Sequence, residues 1–325
     1  WLAKIFAFFG AGVGLFGIGT FTQVNGISSA VNNFFDSNNA WTVSLFGRTY
    51  SWTVVISCLI LTFCVALVLI GGIQRISKVA QVIVPFMAAT YFLAGILIIL
   101  FNITDVPAAI LTIVQSAFGL KAAAGGALGA MVVAMQKGIA RGIFSNEAGL
   151  GSAPIAAAAA RTNEPVRQGL VSMTGTFIDT IVICTMTGLS IVLTGAYDMG
   201  LEGVAVTTKA FQLGLPFPDG VASFILMLCL VFFAFTTILG WDYYSERCLE
   251  YLTNGKKKCI KAYRWIYILC VFIGPYMTVS AVWTIADIFN GLMAIPNLIA
   301  LVALNGVVAK EPKDYLDRIK KKEID

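Results

Sequence analysis

The sequence predicts an all-α polytopic membrane protein, and three features lead to this fold class. Fifty-eight percent of the 325 residues are hydrophobic and only 12% are charged, a balance typical of chains that cross a bilayer several times. Apolar segments of about 20 residues, the length that spans the hydrocarbon core, recur along the chain. Lys and Arg gather in alternate loops between these segments, as they do on the cytoplasmic side of membrane proteins.

Eight apolar segments are long enough to form membrane-spanning helices. They cover residues 4–31, 52–73, 80–101, 123–160, 168–194, 218–245, 264–280 and 281–308. The fourth is too long for one straight span, which indicates an interruption, and only Gly274–Pro275 marks the boundary between the last two. Residues 106–119 are apolar but short, so we expect a surface or re-entrant helix there. Residues 195–217 form an external linker long enough to cap the protein.

The positive charges predict the orientation of these spans. Seventeen of the 22 Lys and Arg residues lie in one set of loops and ends, whereas only Arg48, Lys121 and Lys209 lie in the alternate loops. The positive-inside rule places the first set, with both ends of the chain, in the cytoplasm. We therefore interpret residues 1–309 as a transmembrane domain and residues 310–325 as a solvated cytoplasmic tail helix. The net charge of +5 then reflects topology and not nucleic-acid binding.

The composition disfavours enzymatic chemistry. Histidine is absent, which excludes Ser-His-Asp triads, His metal sites and His proton relays. Seven cysteines without a CxxC pair predict free thiols and no metal or disulfide framework. A receptor would usually carry a soluble sensor or effector domain, and none is visible. An enzyme or a receptor is therefore a weak interpretation.

The most informative segment is GIARGIFSNEAGLGSAPIAAAAA, residues 138–160. It places Arg141 and Glu147 inside an apolar stretch together with three further glycines and Pro154, which weaken a helix. Irregular backbone at membrane depth survives only where it is buried in protein or lines a cavity. Ionisable side chains at that depth mark pathways or sites. We predict that the helix is interrupted here, beside a site for a polar solute.

The first span combines glycine with polar side chains. Gly10 and Gly14 are four residues apart on one helix face, where another helix can approach closely. Gln23 follows Gly19 by four residues and lies on a similar face. It either makes an interhelical amide hydrogen bond or faces a solute cavity.

The fifth and sixth spans carry further polar groups. Thr236 and Thr237 offer hydroxyl oxygens that suit sodium, and Thr237 shares a helix face with Trp241. The alternatives are hydroxyls bonded back to their own helix and a Trp in the interfacial aromatic belt. Asp179 either carries a proton or pairs with Arg141.

These residues resemble a known family. Residues 141–154, RGIFSNEAGLGSAP, are similar to the signature of the alanine or glycine:cation symporters. Looser matches occur in the same order along the chain, at residues 17–25, 70–76, 84–87, 233–241 and 310–316. The resemblance implies the LeuT-type inverted-repeat transporter fold, in which two discontinuous helices meet at the membrane midplane. It numbers the spans as core helices 3 to 10, with helix 6 discontinuous and core helices 1 and 2 absent from this sequence.

The resemblance also implies a binding site and a cellular location. The implied substrate-binding residues are Gln23, Phe144, Ser145, Asn146, Glu147, Thr237 and Trp241. Thr236 and Thr237 are the implied sodium ligands. Glu147 either meets the substrate ammonium directly or orders the break through Arg141. The implied location is the plasma membrane of a prokaryote.

The function implied by the resemblance is sodium-coupled symport of a small neutral amino acid, alanine or glycine, by alternating access. Sodium is the coupling ion and no other cofactor is expected. The alternative is a proton-coupled carrier or a channel on the same fold, with Glu147 or Asp179 as the titrating group. Uptake that follows a sodium gradient at constant pH distinguishes the two.

Overall fold

A computed structural model describes residues 1–45, 47–119 and 126–321. The helices in these ranges are α1 (Leu2–Phe16), α2 (Phe21–Phe35), α3 (Trp52–Ile70), α4 (Gly72–Phe101), α5 (Val106–Ala117), α6 (Ala127–Asn146), α7 (Ala153–Ala157), α8 (Pro165–Thr176), α9 (Thr185–Leu193), α10 (Val204–Gly214), α11 (Asp219–Thr253), α12 (Lys257–Ile273), α13 (Val279–Ala303) and α14 (Asn305–Lys320). Short 3₁₀ turns lie at Ile103–Asp105, Ala196–Asp198 and Gly274–Tyr276, and a π-helical segment, Phe177–Cys184, joins α8 to α9. The start of the predicted fourth span, residues 123–125, and the last four tail residues lie outside the described ranges.

Seven helical stretches in the described ranges are long and apolar enough to cross a membrane, which confirms the polytopic all-α class. They are Leu2–Phe35, Trp52–Ile70, Gly72–Phe101, Ala127–Asn146, Pro165–Leu193, Asp219–Thr253 and Val279–Ala303. The predicted seventh span, at 264–280, corresponds to α12. This helix has 17 residues, because a basic first turn begins it and Gly274–Pro275 ends it, and this length is at the lower end of the range that crosses a bilayer.

The first predicted span is interrupted, which the sequence interpretation missed. α1 ends at Phe16 and α2 begins at Phe21. Polar side chains bond to the carbonyl groups that the break leaves free. Thr20 Oγ1 donates to the carbonyl of Leu15, and Gln23 Nε2 donates to the carbonyl of Ile18 at 3.1 Å. The amide of Gln23 therefore stabilises this break, and among the described residues it makes no interhelical hydrogen bond.

α11 is the central helix of the bundle and packs against α1, α2, α4 and α10. The glycines of α1 permit the closest of these approaches. A Cβ added at Gly10 would lie 2.7 Å from Cys248 Sγ, and one added at Gly14 would overlap Ser245. The predicted close packing at Gly10 and Gly14 is confirmed.

Two peripheral helices were predicted from the sequence, and one β-hairpin was not. α5 is the short helix predicted at 106–119, and α10 lies in the predicted cap at 195–217. Strands β1 (Thr42–Leu45) and β2 (Arg48–Ser51) form an antiparallel hairpin that the sequence interpretation missed, because four-residue strands leave too little alternation to detect. Ser51 Oγ donates to Asp36 at 2.7 Å, and this bond lowers the pKa of the Asp36 carboxyl.

The tail forms a helix, α14, as predicted. The prediction that this helix is fully solvated is wrong, because it is docked on the rest of the protein. Tyr315 is 5% exposed. Arg318 donates to both carboxylate oxygens of Glu164, at 2.8 and 2.7 Å. A bidentate pair of this kind fixes geometry as well as adding energy. The tail is therefore joined to the segment that follows α7.

Candidate functional site

The helix predicted to be discontinuous is interrupted in the structure. α6 ends at Asn146 and α7 begins at Ala153. Glu147, Gly149 and Gly151 have left-handed backbone, with φ of 56°, 82° and 88°, a conformation that ends a helix and favours glycine. Phe144, Ser145 and Asn146 were predicted at the break itself, but they form the last turn of α6 and the break starts at Glu147.

Glu147 is held by two hydrogen bonds. Ser152 Oγ donates to Oε2 at 2.5 Å, and Trp241 Nε1 donates to Oε1 at 2.9 Å. Asn297 of α13 adds a third anchor to the break by donating to the carbonyl of Gly149 at 2.9 Å. Glu147 thus orders the break through Ser152 and Trp241, and the predicted ordering through an arginine is wrong.

Arg141 faces α13. Its guanidinium pairs with Asp287 at 2.9 Å and lies 4.1 Å from the ring centroid of Trp283. The rings of Trp283 and Phe144 are 4.8 Å apart. The predicted alternative that Arg141 pairs with Asp179 is therefore wrong. Asp287 was interpreted from the sequence as a weak signal near the membrane surface. Trp283 and Asp287 are four residues apart on one helix face, and this spacing is the sequence signal that could have indicated the contact.

The last turn of α6 contacts the π-helical segment. Ser145 Oγ donates to Asp179 Oδ2 at 2.7 Å, and Asn146 Nδ2 donates to Thr180 Oγ1 at 3.0 Å. Asn146 Oδ1 also accepts from the backbone N–H of Ala148 at 2.9 Å. π-helical turns within helices are frequent at functional sites, and this segment has eight residues. No feature of the sequence predicted this one.

Gln23 and Phe144, two of the predicted substrate-binding residues, line one cavity of about 490 Å³. This volume is in the range of small-molecule pockets. The cavity lies between α2, α10, α11 and α13. Its polar lining residues are Thr22, Gln23, Asn25, Ser29, Asn33, Glu202 and Thr207. Most of them recur every three or four residues along α2, so one face of that helix is polar.

The threonines of α11 lie outside this lining. Thr236 Oγ1 donates to the carbonyl of Phe232 at 3.0 Å, and Thr237 Oγ1 donates to that of Phe233 at 2.9 Å. Each hydroxyl uses its hydrogen within its own helix, while its oxygen keeps lone pairs that can accept. Their role as sodium ligands stays a prediction.

Trp241 connects the two interrupted helices. It is 1% exposed and packs with Ile18 and Leu150, one residue from each interruption. A Cβ added at Gly19 would lie 2.6 Å from Trp241 Cβ, and the indole N–H reaches Glu147. The tryptophan is thus a buried contact between the interruptions and not an interfacial residue.

The overall pattern is two interrupted membrane helices joined through one buried side chain, next to a cavity with a polar wall. A sequence profile of the sodium:alanine symporter family matches residues 1–325. The chain belongs to this family. The predicted resemblance is confirmed, and the sodium:alanine symporters are transporters and not enzymes.

Individual symporter-family relatives cover nearly the whole chain. It is 52% identical over 322 residues to an uncharacterized transporter of Haemophilus influenzae, covering 98% of this chain and 66% of that protein. It is 44% identical over 326 residues to the sodium/alanine symporter AgcS of Methanococcus maripaludis, covering 99% and 66%. It is 41% identical over 283 residues to the probable sodium/glutamine symporter GlnT of Bacillus subtilis, covering 86% and 58%. The chain therefore spans about two thirds or less of the length of these relatives.

Proposed function

We propose that this chain supplies part of the binding site of a symporter that carries a small neutral amino acid, alanine or glycine, with sodium. The observation that supports the proposal best is the interruption between α6 and α7, anchored through Glu147 and Trp241 and adjoining the cavity that Phe144 lines. Interrupted helices in transporters expose backbone dipoles and carbonyl groups that bind charged substrate groups and ions.

The substrate ammonium is proposed to bind at the end of α6. The last carbonyl groups of a helix lack intrahelical partners and carry partial negative charge, and the carboxylate of Glu147 adjoins them. Gln23 and Phe144 face the space beside this end. Phe144 and Trp283 form an aromatic wall that limits the size of the substrate side chain. Ser145, Asn146, Thr237 and Trp241 complete the proposed site.

Sodium is proposed to bind near the hydroxyls of Thr236 and Thr237 and to drive uptake by alternating access on a LeuT-type fold. One sodium ion that crosses 100 mV releases about 2.3 kcal/mol, which is more than a tenfold concentration ratio requires. The proposed setting is the plasma membrane of a prokaryote, with both ends of the chain in the cytoplasm.

Proton coupling is the second candidate. Asp179 of the π-helical segment accepts a hydrogen bond from Ser145, so a carboxylate of the fifth span directly contacts the proposed substrate site. A carboxylate in that position can exchange a proton with each transport cycle.

Uptake of radiolabelled alanine into proteoliposomes that contain the full-length protein separates these candidates. With an inward sodium gradient at constant pH, we expect accumulation, and we expect none when potassium replaces sodium. Accumulation driven by a pH jump without sodium would favour the proton-coupled carrier. Equal uptake under every gradient would contradict both.

A further inference from the structure

A second buried carboxylate lies on α11, one residue beyond Trp241. Asp242 is 2% exposed. Its Oδ1 is shielded from solvent and has no hydrogen-bond partner among the described residues. A buried carboxyl oxygen without a partner is rare in folded proteins, because the desolvation cost of a charge is not offset.

The nearest charged groups do not neutralise Asp242. Glu246 lies four residues later on the same helix face and is 4% exposed. Arg264 of α12 donates from Nε to Glu246 Oε1 at 2.7 Å, and its Nη2 contacts the same oxygen. The single guanidinium of Arg264 therefore faces two carboxyl groups, and it is bonded to Glu246 and not to Asp242.

The hydroxyl groups around Asp242 donate elsewhere. Tyr263 donates to the carbonyl of Ala11 at 2.6 Å, Tyr267 donates to that of Ile238 at 2.7 Å, and Ser245 donates to that of Trp241 at 2.6 Å. From α1, the residues at this contact are Ala11 and Gly14, which have no titratable side chain. Cys248 and Cys270 are the thiols nearest the two tyrosines.

We propose that Asp242 is a proton-binding site in which the buried side chain is a neutral carboxylic acid. A proton needs one free oxygen, and Asp242 Oδ1 is shielded from solvent and without a hydrogen-bond partner among the described residues. Neutralisation removes the charge that this dry site does not compensate. Asp242 adjoins Trp241, which contacts both helix interruptions, so its protonation is linked to the arrangement of the transport site. That linkage rests on the proposed function, but the protonation itself does not.

Infrared difference spectroscopy of the purified full-length protein tests the protonation directly. A protonated carboxyl has a C=O stretch that is distinct from the carboxylate bands. We expect Asp242→Asn to lose one such band and the matched variant Glu246→Gln to keep it. Asp242→Glu, which retains an acid, should shift the band. A wild-type spectrum without a band that Asp242→Asn removes, or an Asp242→Glu spectrum with an unshifted band, would overturn the proposal.

Uptake measurements test whether the protonation of Asp242 is linked to transport. Sodium-driven alanine uptake by the wild type should vary with pH, and Asp242→Asn should lose that pH dependence while Glu246→Gln retains it. A pH profile that is the same in wild type and Asp242→Asn would overturn the linkage. A wild type without any sodium-driven uptake would instead contradict the proposed function and leave the infrared result standing.

Discussion

Trp241 Nε1 donates a hydrogen bond of 2.9 Å to Glu147 Oε1, which joins the middle of α11 to the interruption between α6 and α7. The same residue packs against Gly19 at the interruption between α1 and α2. One side chain therefore positions both irregular segments. The ring and the N–H of Trp241 make separate contributions that substitutions can resolve.

Trp241→Phe should weaken alanine binding by about tenfold or more. The change keeps most of the ring but removes the N–H, and a hydrogen bond to a charged group contributes roughly 1.5–3 kcal/mol. Of its two hydrogen bonds to described residues, Glu147 would then keep the one from Ser152. Equilibrium binding of radiolabelled alanine to the full-length protein measures the effect. Trp265→Phe, at an exposed position on α12, is the matched control, and equal affinities in the two variants would contradict the role of the N–H.

Asn146→Ala should lower substrate affinity without reducing insertion into the membrane. Asn146 bonds both to Thr180 and to the backbone N–H of Ala148, so its loss loosens the first residues of the break. Thr180→Val removes the first bond, together with the hydrogen bond from Thr180 to Asp179, but keeps the second, and it should have the smaller effect. The comparison is made by alanine binding and by the amount of folded protein in the membrane. Wild-type affinity in Asn146→Ala would exclude it from the site.

Thr237→Val should raise the sodium concentration that gives half-maximal alanine binding by about tenfold, which corresponds to about 1.4 kcal/mol. The substitution preserves the shape of the side chain and removes the hydroxyl oxygen. Thr237→Ser should restore the sodium response. Thr208→Val on α10 is the matched control, because that hydroxyl also bonds to its own helix, at 3.0 Å. An unchanged sodium response in Thr237→Val would remove this residue from the proposed cation site.

Gly14→Ala should destabilise the bundle by about 1–3 kcal/mol, the usual cost of overpacking. The added methyl group would overlap Ser245 of α11. Gly26→Ala is the matched control, since its methyl would meet Leu230 at an ordinary 3.7 Å. Thermal unfolding of both variants in detergent gives the difference. Equal melting temperatures would show that α1 and α11 pack less closely than described.

The docking of α14 should depend on pH. The hydrogen bonds from Arg318 lower the pKa of Glu164 below its usual 4.5, so the ionised pair stabilises docking above that pH. Docking is lost as the pH falls through the lowered pKa and Glu164 is protonated. Hydrogen exchange of residues 305–320 measures docking, with Glu164→Gln at each pH as the control. At neutral pH the variant should exchange faster, and at acid pH the two should agree. Equal exchange at neutral pH would contradict the docked arrangement.

The two helix interruptions show what the sequence could and could not reveal. The break at Glu147 was predictable because a carboxylate, an arginine and several glycines stand together in an apolar stretch. The break after Phe16 was not, because Gly17 and Gly19 fit the pattern of helix packing equally well. Only the structure shows that Thr20 and Gln23 bond to the freed carbonyl groups.

Contacts between distant segments of the chain were the other feature that the sequence could not predict. Several carboxylates in the membrane region are possible partners for Arg141. It pairs with Asp287, 146 residues away, because of the way α13 packs. The π-helical segment around Asp179 likewise has no known sequence signature. The types of residue at the site were predictable, whereas their pairing required the tertiary structure.

We propose that the interruption beside Glu147 forms a sodium-dependent amino-acid site. Equilibrium binding of alanine to the full-length protein, at one pH and in either sodium or potassium, tests it most directly. We expect saturable binding in sodium alone, and we expect Phe144→Ala and Gln23→Ala each to weaken it. Binding that is equally tight in potassium, or unchanged in both variants, would contradict the account.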